Sequence, residues 1–599
     1  MTLEELVTIE ISSVSKKAEP LSDAAAAVYV ITQQDIRRYG ATSIPEILRL
    51  APNLQVARLD SNRYAITARG FNSTSSNKLL VLIDGRSVYT PLFSGVFWDV
   101  QDVFLEDIER IEVISGPGGT LWGSNAVNGV INIITRHTRN TTGGLLNIDA
   151  GTEELGAGVR YGGKISDEAT YRIYAKGFDR ENTVTASGTG VKDSWRKGQL
   201  GFRMDWGRAS DALMLQGDLY GGSIDQPVND DRKISGGNVL ARWNRTLQGG
   251  SALQVQAYFD KTRRIFPGSF GEVLDTYDIE AQHRFKWGAQ HEIVWGGGYR
   301  WSEDDVTNSA ALAFLPTSRS LSLANIFLQD SIPLTERLEL TVGVKLEHNT
   351  YTGLEVQPSG RLGWKLRDNA LLWAAVSRAV RTPSRLDRDL FVPGSAPFQI
   401  AGGPDFTSET LIAYEIGYRM EPVPEASFSI SMFYNVYDEL RSIEAAAGGG
   451  PPSVFDNKME GETYGVEVWG SYRVRNWWKL SAGFNYLQED LRFKPDSRDT
   501  FGVQAAGNDP TYQLSLRSTM TPVDYLEVDL ALRSIDRLPN PDVPGYVALD
   551  GRIGWKVSKL VELSLIGFNL LDRRHPEFGA APGRSEQERS VYLKMRWSF

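Results

Sequence analysis

The chain has no cysteine among its 599 residues, so thiol nucleophiles, thiolate metal sites and disulfide frameworks are all excluded. That absence suits an exported bacterial protein that staples nothing, and it suits a cytosolic protein equally. No run of eighteen apolar residues occurs, which rules out transmembrane helices. A mean hydropathy of -0.28 would ordinarily indicate a water-soluble chain. Transmembrane strands, however, alternate polar and apolar residues and escape both tests. Histidines are few and scattered: His137, His283, His291, His348 and His575 show no HExxH or other ligand spacing. His283 and His291 flank a turn at Trp287-Gly288 and could meet as a metal pair or as interfacial rings. The net charge of -10, with no Lys/Arg block, excludes a nucleic-acid binder. No charged-then-apolar leader follows Met1, so a secretory signal, where the gene encodes one, is expected to have been removed. No catalytic constellation, resident metal or cofactor is expected.

Glycine (58), tryptophan (15) and a 10% aromatic content are abundant. They fit many turns and many amphipathic rings, in a membrane barrel or in a soluble all-β protein. The organising stretch is Ile108 to Thr135, IERIEVISGPGGTLWGSNAVNGVINIIT. It reads as a strand, a Gly-Pro-Gly-Gly turn, a short tight segment and a second strand. A phosphate-cradling loop would need Lys-Ser/Thr after the glycines, and Thr120-Leu121-Trp122 stands there instead.

This stretch, with Arg69-Gly70-Phe71 and Leu82-Ile83-Asp84-Gly85 before it, resembles the plug of TonB-dependent outer-membrane receptors (IERIEVIRGPxSxLYGxxAxGGVINIITK, RGF and LxDG). Further likenesses follow. AAVSRAVRTPS (Ala374 to Ser384) is similar to the family's AxSxAxRxP, ETLIAYEIGYR (Glu409 to Arg419) to ExxxxYExGxR, Tyr464 to Glu467 to YGxE, and GFNLLD (Gly567 to Asp572) to vxNLfD. The resemblance covers nearly the whole chain. It implies an all-β transmembrane barrel of about 22 antiparallel strands, occluded by an N-terminal α+β plug. The expected divisions are a TonB-box-like segment at 1–18, the plug at 19–140 and the barrel at 141–599.

The residues agree on their own terms. Val7-Thr8-Ile9-Glu10-Ile11-Ser12-Ser13 is β-prone and alternates, so it could add as an edge strand to a partner. By position it resembles the TonB box, although its match to that loose consensus is poor; a disordered terminus or a plug strand is the alternative. Ala27 to Ile31 reads as a buried strand. Thr32-Gln33-Gln34-Asp35 then starts a helix that Gly40 ends, and Ser43-Ile44-Pro45-Glu46 offers a second capping box for a helix closed by Pro52. Short strands follow near Leu54 to Ala57, Tyr64 to Ala68 and Leu79 to Ile83.

Two loops stand out: a charged one carrying Arg58, Asp60, Asn62 and Arg63, and an aromatic one carrying Tyr89, Phe93, Phe97 and Trp98. Exposed groups on loops favour ligand contact, and packing against a wall is the competing use. The resemblance makes these loops the floor of the substrate site.

After Gly143 strict alternation recurs, as in Leu338 to Glu347, Leu526 to Arg533 and Leu253 to Asp260. The last strand sets Val591, Leu593, Met595, Trp597 and Phe599 against Tyr592, Lys594, Arg596 and Ser598. Burying Lys594 and Arg596 in a dry core would cost several kcal/mol each, so that side is wet and the other faces lipid or a second sheet. The terminal aromatic looks like the signal read by the barrel assembly machinery. About 455 residues divided among 20, 22 or 24 strands leave room for ten-residue spans and modest loops.

In the family, arginines of RGF and IRGP face glutamates of the YExG and YGxE strands. Arg69, Glu415 and Glu467 match those positions, while Ser115 replaces the second arginine and leaves Arg110 or Arg58 to substitute. The resemblance further implies a TonB partner with ExbB/ExbD, outer-membrane lipid and a small-molecule ligand. A ferric siderophore stands first; cobalamin, another metal chelate or a glycan are alternatives. Haem is disfavoured, since FRAP and NPNL are missing and no histidine lies between His348 and His575. A passive plugged porin or adhesion barrel is the competing class, and a secreted enzyme lacks any nucleophile or metal set.

Overall fold

A computed structural model describes residues 9–599 apart from Ala289 and Ala447. Twenty-two antiparallel strands, from Gly143–Gly151 to Ser590–Ser598, close into a barrel. The last strand pairs with the first from Leu145↔Ser598 to Gly151↔Tyr592, so the sheet has no free edge.

The alternation seen in the sequence becomes an inside-out protein. In the strand Leu338–Asn349, Val342 is 41% exposed outward while Lys345 and Glu347 are buried inward. In the terminal strand Leu593 and Trp597 point out, and Lys594 sits inside with its Nζ 3.2 Å from Asp149 Oδ1. Two-residue turns at 209–210, 424–425 and 524–525 mark one rim, and connections 382–408, 494–511 and 569–589 mark the other. The exposed Trp206, Trp287, Trp364, Trp555 and Trp597 lie at the strand ends of the short-turn rim. Such a girdle beside short turns is the periplasmic interface of an outer-membrane barrel.

The amino-terminal part fills the lumen around a five-stranded mixed sheet, in the order Ala27–Thr32, Ile108–Ser115, Gly129–Thr135, Leu79–Ile83, Arg86–Ser87. Its strand Leu79–Ile83 reads as an unbroken apolar run because both faces are covered. One face packs Ile31, Val81, Ile111, Val113 and Ile131 on the helical residues Ile36, Ile44, Ile47 and Leu48. The other packs Val28, Val30, Leu80 and Leu82 on Ile11 and Val14 of the opening segment.

Helix Gln33–Tyr39 has the capping box read from Thr32 and Asp35, and Gly40 ends it in the left-handed region. The second expected box does not form. Ser43 makes no side-chain cap, Glu46 turns to Arg49 Nε at 2.6 Å, and the helix Ile44–Leu48 stops well short of Pro52. Arg49 also reaches Glu577 of an outer connection at 2.8 Å. The ion pair draws Glu46 away from its capping position.

Candidate functional site

The lumen is closed by charge pairs between plug and wall. Arg69, with a fully buried side chain, donates from Nη1 to Glu415 Oε1 at 2.7 Å and from Nε and Nη2 to the two Glu467 oxygens at 3.2 Å. Its guanidinium also lies 4.3 Å from the Phe433 ring centre. The fit depends on glycine: Gly116 has φ +93, and a Cβ there would fall 2.4 Å from Glu415 Oε1. Ser115 receives a hydrogen bond from Asn53 Nδ2 at 2.8 Å instead of supplying a second guanidinium. Arg110 pairs with Glu109 and Glu112 beside it and Arg58 with Glu153, so neither takes the vacant role.

On the long-loop side a cavity of about 120 Å³ lies between plug residues 87–101 and the strands between 252 and 323. Tyr89, Phe97, Tyr258, Arg264, Arg300 and Tyr351 line it. Arg264 is fully buried, stacks 3.5 Å from the Phe97 ring centre and pairs with Asp99 at 2.8 Å. Burial pushes the Tyr89 phenol up, so it remains a neutral donor, to Asn77 O at 2.9 Å. Beside the chamber, a small sheet of Ala313–Phe314, Leu390–Val392 and Ile400–Ala401, reached from the one-turn helix Arg385–Asp389, roofs the aromatic loop of the plug. Arg385 N and Leu386 N donate to Pro91 O at 3.0 Å and Leu92 O at 2.7 Å, tying roof to plug.

This roof alters the reading of the two plug loops. The aromatics are covered: Phe93 meets Phe97 edge-on at 4.8 Å beneath Phe314 and Leu390, and Trp98 is part of the plug core. The charged loop lies away from the chamber. Arg58 N donates to Glu577 Oε2 at 2.7 Å, Asp60 accepts from Asn62 N and Arg63 N, and Arg63 alone of these residues has an exposed side chain. Glu577 would be raised by burial, but Arg49 and His575 hold its carboxyl well below the usual range. Of the eight loop residues, Tyr89 and Phe97 line the chamber. The turn histidines do not meet: His283 lies opposite Trp295, and His291 bonds Asp330 at 2.6 Å.

At the short-turn side the opening segment is folded in. Val7 and Thr8 lie outside the described residues. Glu10–Ile11 pairs with Glu19–Pro20, so part of the expected free edge is already used. Ser12 N and Ser13 N donate to Glu112 at 3.1 and 2.9 Å, and Trp122 Nε1 donates to Ser13 O at 2.8 Å. Ile11 and Ser13 are buried, because the second face of the plug sheet needs a cover. Lys16 and Lys17 then reach the wall, at 2.5 Å from Glu280 and 2.9 Å from Glu292.

Sequence reading missed most of the wall partners. Arg37 meets Glu527 and Glu562, Arg38 meets Asp529, Lys78 meets Glu409, and Arg86 meets Asp260. Their one visible signal is a carboxylate on the wet side of an alternating strand.

Comparison with known proteins agrees with this architecture. A family model described as "TonB dependent receptor-like, beta-barrel" matches residues 124–570, and one described as "TonB-dependent Receptor Plug Domain" matches residues 20–130. The iron-regulated outer membrane virulence protein of Vibrio cholerae serotype O1 is 23% identical, over 94% of this chain and 91% of its own. The vitamin B12 transporter BtuB of Vibrio vulnificus is 24% identical over 67% of this chain and 66% of its own. The crystal structure of the siderophore receptor PirA from Acinetobacter baumannii superimposes with a TM-score of 0.80 at 16% identity, covering 97% of this chain and 99% of that one.

Proposed function

The chain belongs to the TonB-dependent receptor family of the outer membrane, and from that premise we propose that it is an energy-coupled importer of a ferric siderophore. The observation that carries the reading is the chamber above the plug, beside the roofed aromatic loop. Its phenols and hydroxyls suit an aromatic or oxygen-rich chelate. The names of the Vibrio cholerae and Acinetobacter baumannii proteins point the same way. Ligand would enter when the roof over Pro91 and Leu92 lifts, and would rest against Tyr89 and Phe97.

Binding alone cannot drive uphill transport, because a ligand shifts an equilibrium only by its differential affinity. TonB, energised by ExbB/ExbD, would grip the segment from Val7 to Ser13 and pull. Arg69 with Glu415 and Glu467 would hold the plug in register meanwhile. The likeness to BtuB supports cobalamin as the second reading.

The test is growth of a deletion strain on single iron or cofactor sources, complemented by the full chain or by a variant lacking residues 2–18. One ferric siderophore should support growth only with the full chain, while both chains bind it. Growth restored on cobalamin alone would replace the ligand, and equal uptake by both chains would replace coupling with passive passage.

A further inference from the structure

Away from the chamber, a cavity of about 250 Å³ lies at the short-turn rim, between the plug and the last two strands of the barrel. Its charges do not balance. Four cations line it, Arg37, Arg136, Lys594 and Arg596, against two carboxylates, Glu106 and Glu562. Both carboxylates are already taken. Glu562 receives Arg37 at 2.8 Å and Arg552 at 2.5 Å, while Glu106 accepts from Asn147 Nδ2 and has Lys594 Nζ 3.8 Å away. Arg596 stands directly across the ladder from Glu562, yet among the described residues neither Arg596 nor Arg136 has a carboxylate within ion-pair distance. Elsewhere in the lumen the plug's guanidiniums are matched, Arg38 by Asp529, Arg69 by Glu415 and Glu467, and Arg86 by Asp260, so the surplus is local to this rim.

The two unmatched guanidiniums also oppose each other. Burial holds Arg136 below its ordinary value, and the neighbouring Arg596 charge adds to that against the pull of Asp107. Two buried polar atoms of the lining lack partners among the described residues: Arg596 Nε, a donor, and Gln33 Oε1, an acceptor. Gln33 Nε2 is spent on Glu106 O at 2.9 Å, which leaves Oε1 as the free atom. An occupant that meets both needs offers accepting oxygens to the guanidiniums and one hydroxyl to Gln33. Hydrogen phosphate carries both, whereas a simple carboxylate has no hydroxyl to donate.

We infer that this cavity is a site for inorganic phosphate from the periplasm, held between Arg136 of the plug and Arg596 of the last barrel strand. Its place on the lumen side of a closed barrel keeps bilayer phosphodiesters out. Arg136 directly follows Gly129–Thr135, the last strand of the plug sheet, where the chain leaves the plug for the barrel. A bound phosphate bridges that exit to the wall and tightens the seat of the plug, and the empty site carries the repulsion of two like charges. Nothing in this site depends on which ligand the chamber imports.

Equilibrium dialysis of radiolabelled inorganic phosphate against the purified full-length protein, at constant ionic strength in chloride, tests the site. Saturable binding of one phosphate per chain is expected. Arg136→Gln and Arg596→Gln should each weaken it about tenfold, and Arg139→Gln, an exposed neighbour, less than about twofold. Acetate in about tenfold excess should leave binding intact, and displacement by acetate would overturn the phosphate assignment. The seat of the plug is read from the urea midpoint of its tryptic cleavage. In phosphate-free buffer Arg596→Gln should match or exceed the parent, because it relieves repulsion. Phosphate at about ten times its dissociation constant should raise the parent midpoint by about 0.5 M or more, and that of Arg596→Gln by less than about half as much. No saturable binding, binding indifferent to both substitutions, or an Arg596→Gln midpoint that falls below the parent's without phosphate overturns the site.

Discussion

Replacing Arg69 by alanine would leave Glu415 and Glu467, both buried against the plug, without their cation. Breaking a buried pair by removing one partner costs about 3–5 kcal/mol, because the remaining charges keep their desolvation penalty. The lost contact with Phe433 adds about 0.5–1 kcal/mol. Unseating can be followed in urea by tryptic cleavage of the plug while the barrel stays folded. With a slope of about 1.5–2 kcal/mol per molar for a unit of this size, the cleavage midpoint should fall by about 2 M. Arg69→Met combined with Glu415→Leu and Glu467→Leu should recover most of that loss, since apolar replacement of a whole buried ion cluster is often neutral. Arg63→Ala, a variant of the exposed pair with Asp60, should shift the midpoint by less than about 0.3 M. A shift below about 0.5 M for Arg69→Ala, or no recovery in the triple variant, would refute the claim that these charges hold the plug in register.

Three further outcomes follow from the same contacts. Asp509, in the outer connection that caps the RGF turn, accepts from Asn72 N at 2.9 Å, and burial pushes its carboxyl up to about 7. A raised carboxyl stabilises the closed loop fully below its ordinary range and loses that contribution as pH rises through about 7. Amide exchange of residues 500–511, corrected for intrinsic rate, should therefore show more opening at pH 8 than at pH 6, and Asp509→Asn combined with Glu489→Gln, the carboxyl facing it, should abolish the difference. Gly70 has φ +105 and would place a Cβ 2.1 Å from Glu489 Oε1, so Gly70→Ala should lower the urea midpoint of plug cleavage by about 1 M or more, against no change if the turn relaxes freely. Ile326 is 62% exposed on the lipid face, and Ile326→Arg should destabilise the barrel by about 2–4 kcal/mol in refolding titrations into bilayers, where a cost under about 0.5 kcal/mol would place it outside the hydrocarbon layer.

Much of this architecture is legible wherever a local pattern decides the outcome. Alternation settles which side of Leu338–Asn349 is wet, because Lys345 and Glu347 cannot face lipid. Thr32 caps its helix because Asp35 holds the box with Oδ2 while its Oδ1 meets Arg517 of the wall at 3.2 Å. Ser43 fails because Glu46 finds Arg49, which is fixed in turn by Glu577 more than five hundred residues later. The aromatic loop misleads in the same way. Phe93 looks exposed until the connections at 308–317 and 382–408 fold over it, and Trp98 until the plug core takes it in, and nothing local to Tyr89–Trp98 announces either cover. The Arg69 triad was visible only through resemblance, since its members are about 350 and 400 residues apart in sequence.

The same distribution of contacts bears on how force could clear the lumen. Arg37, Arg38, Arg49, Arg69, Lys78 and Arg86 each engage a wall or loop carboxylate, and these partners ring the barrel from Asp260 to Glu577. Withdrawing the plug as a rigid body would have to break all of these pairs in one step, before water could resolvate any of them, so their costs add in a single barrier. Peeling from the amino terminus breaks the Ser12 and Ser13 contacts with Glu112 first, then Lys16 and Lys17, then the carbonyls of Leu21, Ala24 and Ala26 held by Arg419, each rehydrated before the next is strained. A pull applied at one end therefore favours sequential loss, beginning with the segment that covers the second face of the plug sheet.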